Sequence, residues 1–302
     1  GDGGPKPVVK ALTSPKGAAA VEASSDASGP MYLYCEGKPG LLFTENETNR
    51  ERIFGAHNPS PYVKDGINDY VTKNSEGSVN PAGTGTKVSA HYILNVPAGG
   101  EASVRLILSR GKRRGTGQEI FAGFDGVLAA RKKEADDFYS FITPETLDED
   151  SKSIMRQALA GMLWSKQYYF FDLDKWLREH GAGITVRQPN GNVRNKEWFH
   201  MINDDIISMP DKWEYPWYAA WDLAFHTISL DMVDPDFSKE QLELMLKEVY
   251  LHPNGQIPAY EWNFSDVNPP VHAFASLFLY NTQKQITGKG DIAFLKQIFD
   301  KL

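Results

Sequence analysis

The stretch Trp213-Glu214-Tyr215-Pro216-Trp217-Tyr218-Ala219-Ala220-Trp221-Asp222, running on into Leu223-Ala224-Phe225-His226-Thr227-Ile228, decides how the chain is read. Its second half carries the apolar period of a helix, so the aromatic cluster opens a helical segment and delivers Asp222 into the early turns. Flat aromatic faces cover the apolar faces of a sugar ring. A carboxyl group held among them loses water, which favours its protonated form. That pairing is what a glycosidic general acid needs. Trp213, Trp217 and Trp221, four residues apart, also read as a packing stripe, although Pro216 interrupts a continuous helix through all three. If the helix begins near Trp217, then Tyr218, Asp222 and His226 share one face. A helix N-terminus favours the charged carboxylate, so the aromatic wall and a second carboxylate must outweigh it. Glu214, Glu261 and Asp266 are candidates for that second group. Asp172, Asp174, Asp204, Asp205 and Asp211 read instead as loop or capping residues.

Two further segments carry polar groups suited to sugar hydroxyls. From His252 to His272, Glu261, Trp262, Asn268 and His272 recur at short intervals, while Asn254-Gly255 and Pro269-Pro270 are equally well explained as turns. Upstream, Trp164-Ser165-Lys166-Gln167-Tyr168-Tyr169 places Lys166 and Gln167 in what reads as the long helix of Ile154, Ala158, Leu159, Met162 and Leu163. A buried Lys166 needs an acidic partner or a substrate. The candidate site is thus Asp222 as acid, with Trp213, Glu214, Trp217, Trp221, Lys166, Gln167, Glu261, Trp262, Asn268 and His272 around the substrate.

Outward from the site, the 302 residues divide into four stretches. Residues 1–30, rich in Gly, Pro, Ala and Ser and lacking aromatics, read as an irregular segment. Residues 31–124 alternate like strands, at Met31–Cys35, Leu41–Thr44, Ser89–Val96 and Ser103–Ser109, with Pro97–Gly100 as a hairpin or sandwich connection. That is too few strands for a whole sandwich. Residues 125–145 form a charged linker helix. From 146 to 302 the period is helical: Thr143-Pro144 offers an N-cap, Ser238 to Gln241 a capping box, and further helices span about 271–287 and 292–302. Successive helix pairs with long polar connections fit an α-toroid. The expected fold is mainly α with an N-terminal β region.

Composition narrows the function classes. Hydrophobic residues at 41% and aromatics at 12% suffice for a core, and the net charge of −7 disfavours nucleic acid or anionic membrane as a partner. Lys112-Arg113-Arg114 and Arg131-Lys132-Lys133 are the exceptions to an otherwise scattered basic complement. The single cysteine, Cys35, excludes an internal disulfide and a cysteine-based zinc cluster, and favours a cytoplasmic setting. Apolar runs of membrane-spanning length, a cationic leader, GxSxG, HExxH, a P-loop and a dinucleotide fingerprint are all missing from the sequence.

The segments WSKQYYFFDLDKWL (164–177), NDDIISMPDKWEYPWYAAWDLAFH (203–226) and HPNGQIPAYEWNFSDVNPPVHAFA (252–275) resemble glycoside hydrolase family 63, in particular its bacterial branch. FTENETNRERIFG (43–55) and SPYVKDGINDYV (60–71) extend the likeness upstream. The resemblance implies part of a β-sandwich followed by part of an (α/α)6 barrel, and inverting hydrolysis of α-linked glucosyl or mannosyl groups. It also implies that Asp222 is the general acid and that Trp217 shapes the donor-sugar pocket. The family's general base, a Glu on a later barrel segment, has no match here, so the base and the remaining barrel are expected in the rest of a parent chain. No metal or organic cofactor is required. The expected ligand is a small α-glucoside or oligosaccharide. The rival expectation is a non-catalytic carbohydrate-binding or scaffold fragment.

Overall fold

A computed structural model of the protein describes residues 6–25, 28–183, 193, 196, 198–209, 211, 217, 219–260 and 267–302. An N-terminal region of antiparallel sheet precedes a predominantly helical part, and the chain divides into two compact units, 1–134 and 135–302.

In the first unit, β1 (Val8–Ala11), β2 (Ala18–Ser24) and β3 (Met31–Glu36) form an antiparallel run. The next elements are β4 (Gly40–Thr44), helices α1 (Arg50–Phe54) and α2 (Gly66–Lys73), β5 (Thr84–Gly85), β6 (Lys87–His91) and β7 (Leu106–Ser109). The main sheet has five strands in the order β5-β1-β2-β3-β7, while β4 and β6 pair separately. The Pro97–Gly100 turn therefore links strands of different sheets and closes no hairpin between β6 and β7.

Helix α3 (Gly117–Phe121) covers one face of the five-stranded sheet. Its start is set by a capping box in which Thr116 and Glu119 satisfy each other's backbone N–H groups. Ile120 and Phe121 pack on Ala18, Ala20 and Tyr34, burial worth roughly 1.5–3 kcal/mol for each large side chain. The approach is close. A Cβ on Gly117 would lie 2.4 Å from the Gly17 carbonyl oxygen.

Three expectations change in this unit. Residues 1–30, expected as irregular, contain β1 and β2, because small alanines, poor strand formers alone, are recruited by pairing with β3 and by the room α3 needs. Between β4 and β5 the chain forms helices, α1 opening on Asn49, whose side chain accepts from Arg52 N–H, and closing on Gly55 at φ 63°. Strand β6 stops at His91, leaving Ile93 87% exposed rather than on a core face.

Helix α4 (Phe124–Ile142) spans the division between the units. The second unit continues with α5 (Glu149–Trp164), β8 (Lys166–Asp172), α6 (Leu173–Glu179), β9 (Ile202–Ser208), α7 (Ala220–Leu230), α8 (Pro235–Leu244), α9 (Val271–Thr287) and α10 (Ile292–Phe299). Helix α7 packs against α8 and α9 with Ala224, Leu242, Leu246, Ala275 and Leu279 at the contact, while Ala220 and Leu223 join a second cluster with Ile207, Met245 and Tyr250.

The helical period does not run unbroken. Lys166 to Asp172, read as the end of a helix, is a strand paired antiparallel with β9 from Lys166↔Ser208 to Asp172↔Ile202. Aromatic Tyr168 to Phe171 favours a pleated surface once a partner strand is present. Two helix starts also move. Asp148, not Thr143, caps α5, and Asp234, with Pro235 at the first helical position, opens α8 ahead of the Ser238 box. Among the described residues no helix is long and apolar enough to cross a membrane.

Candidate functional site

Helix α7 begins at Ala220 without a side-chain cap. Its first N–H is taken from outside: Ala220 N donates to the Ala259 carbonyl at 2.9 Å, and Ala219 forms an antiparallel bridge with Tyr260. This bridge brings together the two segments that the sequence marked separately. The loop behind it is pinned where Asn268 Nδ2 donates to the Ile257 carbonyl at 2.6 Å and where Trp198 Nε1 and His200 Nε2 contact the Leu251 carbonyl at 3.2 and 3.0 Å.

Asp222 is the third residue of α7, half-buried and without an ion pair among the described residues. One turn later His226 shares its face, and His226 Nδ1 lies 2.9 Å from Ser208 Oγ. Burial pushes the His226 pKa down, with the Asp222 charge and Ser208 acting in the opposite direction. Trp221 is 42% exposed and meets Phe225 edge-on at 6.0 Å, so its indole stands on the neighbouring, solvent-facing stripe of the helix. Trp217 lies just before the helix, half-buried. Trp213, Glu214, Glu261, Trp262 and Asp266 lie outside the described residues.

The antiparallel pair of β8 and β9 sorts its candidates by alternation. Gln167 lies on the face of Tyr169, which packs toward Ala220 and Leu223 of α7. Its Nε2 is buried and has no hydrogen-bond partner among the described residues. Lys166 takes the opposite face, where it pairs with Asp234 and sits 4.0 Å above the Phe237 ring centroid. It lines a groove of about 700 Å³ with Tyr168, Asp204, Ile206, Phe237 and Glu240, a groove that Asp222 does not line. The acidic partner that a buried Lys166 requires is therefore Asp234.

His272, in the first turn of α9, is 7% exposed; among the described residues neither ring nitrogen has a partner at hydrogen-bonding geometry, and the Leu242 backbone is the polar group that acts on the ring. Burial lowers its pKa to about 4. Asn268 Oδ1 is likewise buried and unmatched. Gln167, Asn268 and His272 thus each hold a buried polar atom that is unmatched among the described residues.

The other carboxylates are engaged elsewhere. Asp172 caps α6 through Lys175 N–H, Asp174 pairs with Arg178, Asp204 accepts from Tyr168, and Asp205 accepts from the buried Tyr250 hydroxyl at 2.8 Å. Asp204 and Asp205 are strand residues, not loop residues. Among the described residues no cluster of three or more His, Cys, Asp or Glu is arranged to hold a metal ion. Sequence reading passed over Ser208, because its contact with His226 depends on strand register. His226 itself carried a signal, the four-residue spacing from Asp222.

No family model matches the chain. It is 43% identical over 278 residues to "Uncharacterized protein YMR196W" of Saccharomyces cerevisiae, a match covering 87% of this chain and 25% of the yeast protein. The chain spans about a quarter of the length of the curated relative it matches.

Proposed function

We propose that this chain carries the general acid of an inverting α-glycosidase akin to glycoside hydrolase family 63, built as part of a β-sandwich followed by part of an (α/α)6 barrel. The observation that carries the reading is the junction at the start of α7, where the Ala219–Tyr260 bridge joins two aromatic, polar segments beside a half-buried Asp222 that has no ion pair among the described residues.

In this reading Asp222 gives its proton to the glycosidic oxygen as the bond from the anomeric carbon to that oxygen breaks. A carboxylate from outside this chain takes a proton from water, and the water oxygen bonds the anomeric carbon from the opposite face, inverting it. The two carboxyl groups then stand roughly 6.5–9.5 Å apart, leaving room for that water. Trp217 and Trp221 wall the sugar, joined by Trp213 and Trp262, with Glu214 and Glu261 as further hydrogen-bond partners. No metal or organic cofactor enters the chemistry. The ligand is an α-linked glucosyl or mannosyl compound, and the barrel is completed by the remainder of a parent chain. A cytoplasmic setting accords with a lone, free and buried Cys35.

The test is hydrolysis of a panel of α-glucosides and α-mannosides by the full-length protein and by its Asp222→Asn variant. Turnover should fall by about 10²–10⁴-fold in the variant, the usual contribution of a positioned acid. Undiminished turnover rejects the assignment. Sugar binding by calorimetry with no turnover in the unaltered protein would favour a carbohydrate-binding module instead.

A further inference from the structure

Beyond Asp222, the start of α7 holds a second titratable group whose position is fixed from outside its own helix. His226 Nδ1 meets Ser208 Oγ at 2.9 Å. Ser208 is 1% exposed and anchored in turn, its N–H donating to Gln241 Oε1 at 3.0 Å while Gln241 Nε2 donates to the Ile206 carbonyl at 3.0 Å. The imidazole therefore has little freedom to turn away. It stands on the face of Asp222 at the spacing that brings Cβ atoms to roughly 5–6 Å.

Of the other charged groups on the elements packed against α7, several are engaged elsewhere, and Glu240 and Glu243 of α8 line the groove of Lys166 rather than facing Asp222. On β9, Asp204 and Asp205 are held by Tyr168 and Tyr250. On α8, Lys239 reaches Gln283 and Asp291. On α5, Lys152 and Arg156 pair with Glu149 and Asp136, and on α9, Lys284 lies over Tyr280 while His272 is buried among apolar residues. Asp222 is the charge that acts on His226.

We propose that His226, held by Ser208 one helical turn from Asp222, is a positioning residue for that carboxyl group, and that the His226 ring senses the Asp222 charge. The catalytic meaning of the pair rests on the reading of Asp222 as an acid; the linkage does not. Burial keeps His226 neutral near pH 7, so no positive charge sits one turn from the carboxyl group. A protonated His226 would place a positive charge one turn from the group that, in this reading, delivers the proton to the leaving oxygen. Ser208 sets this balance by keeping the ring in the protein rather than in water.

The His226 ring titration, followed by proton–carbon NMR in the intact chain and in Asp222→Asn, tests the linkage. Without the anion the midpoint should move downward by about 0.3 pH unit or more, the scale of a charge pair one helical turn apart. In Ser208→Ala the Oγ contact that fixes the ring is lost, so the His226 midpoint should depend less on Asp222 than in the unaltered protein. An identical midpoint in the unaltered protein and Asp222→Asn overturns the proposal, whatever Ser208→Ala does. Activity is not read in this experiment. Linked titration in a protein that still hydrolyses glycosides as Asp222→Asn would reject the acid assignment alone, and unlinked titration with turnover lost would reject the positioning role alone.

Discussion

Asp234 does two jobs with its two oxygens. Oδ1 accepts the Phe237 N–H at 3.1 Å and caps α8, while Oδ2 pairs with Lys166, whose ammonium also rests on the Phe237 ring. The two roles separate by substitution. Asp234→Asn keeps an acceptor for the cap and loses the ion pair, and the expected loss is about 1 kcal/mol for a partly exposed pair. Asp234→Ala loses the cap as well and should lose about 1 kcal/mol more. Urea unfolding of both variants distinguishes them; equal midpoints would mean that the cap contributes nothing. The arrangement also explains why Lys166 looked like a ligand group from the sequence. A lysine amid aromatics needs a counter-charge, and that counter-charge lies in a different segment, where its spacing to Lys166 cannot be read.

Among the elements, the β8–β9 pair was the least legible. Helices α7, α9 and α10 announce themselves because one apolar stripe repeats at helical spacing, and β3, β4 and β7 because each is a short apolar or aromatic run bounded by glycine or polar residues. Lys166–Asp172 carries both periods at once, so the choice rests on tertiary partners: the register with Ile202–Ser208 and the Gln241 side chain, which bonds the outer edge of β9 at Ser208 N–H and Ile206 C=O as another strand would. The site divides in the same way. Asp222 in an early turn was legible from Pro216 and the apolar period, whereas the Ser208–His226 contact and the Ala219–Tyr260 bridge depend on pairing that no local pattern encodes. Gln241→Leu tests the clamp. It removes two hydrogen bonds and leaves two backbone groups of β9 unmatched, an expected loss of about 2–3 kcal/mol. Gln241→Glu keeps an acceptor for Ser208 N–H and loses the donor to Ile206, so its urea midpoint should fall between the two. A Gln241→Leu midpoint unchanged from the original would mean that water already serves this edge.

At the scale of the whole molecule, two groups of opposite sign in the second unit contribute to the acid response of stability, beside His226, whose pKa burial also lowers. His272 has its pKa lowered by burial to about 4. The unfolded chain therefore takes up this proton near pH 6.5 and the folded chain only near 4, so the contribution is present above 6.5 and is lost as pH falls between them. For so buried a ring the loss approaches about 3 kcal/mol. Asp231, at the C-terminal end of α7, has its pKa raised by burial to about 6, with Lys239 opposing. Here the folded chain binds the proton first. Stability from this group rises as pH falls from about 6 to the ordinary aspartate range, by about 1 kcal/mol once solvent screening at a half-buried site is allowed for. The two partly cancel between pH 6 and 4, so together they should cost only about 2 kcal/mol there. Separating them exposes the opposition. Asp231→Asn, neutral throughout, should be more stable than the original at pH 7 by about 1 kcal/mol and lose stability more steeply on acidification. His272→Gln should flatten the loss or reverse its sign. Urea midpoints at pH 7, 5.5 and 4.5 decide the matter: parallel profiles for all three proteins would mean that neither group carries the acid sensitivity of the fold.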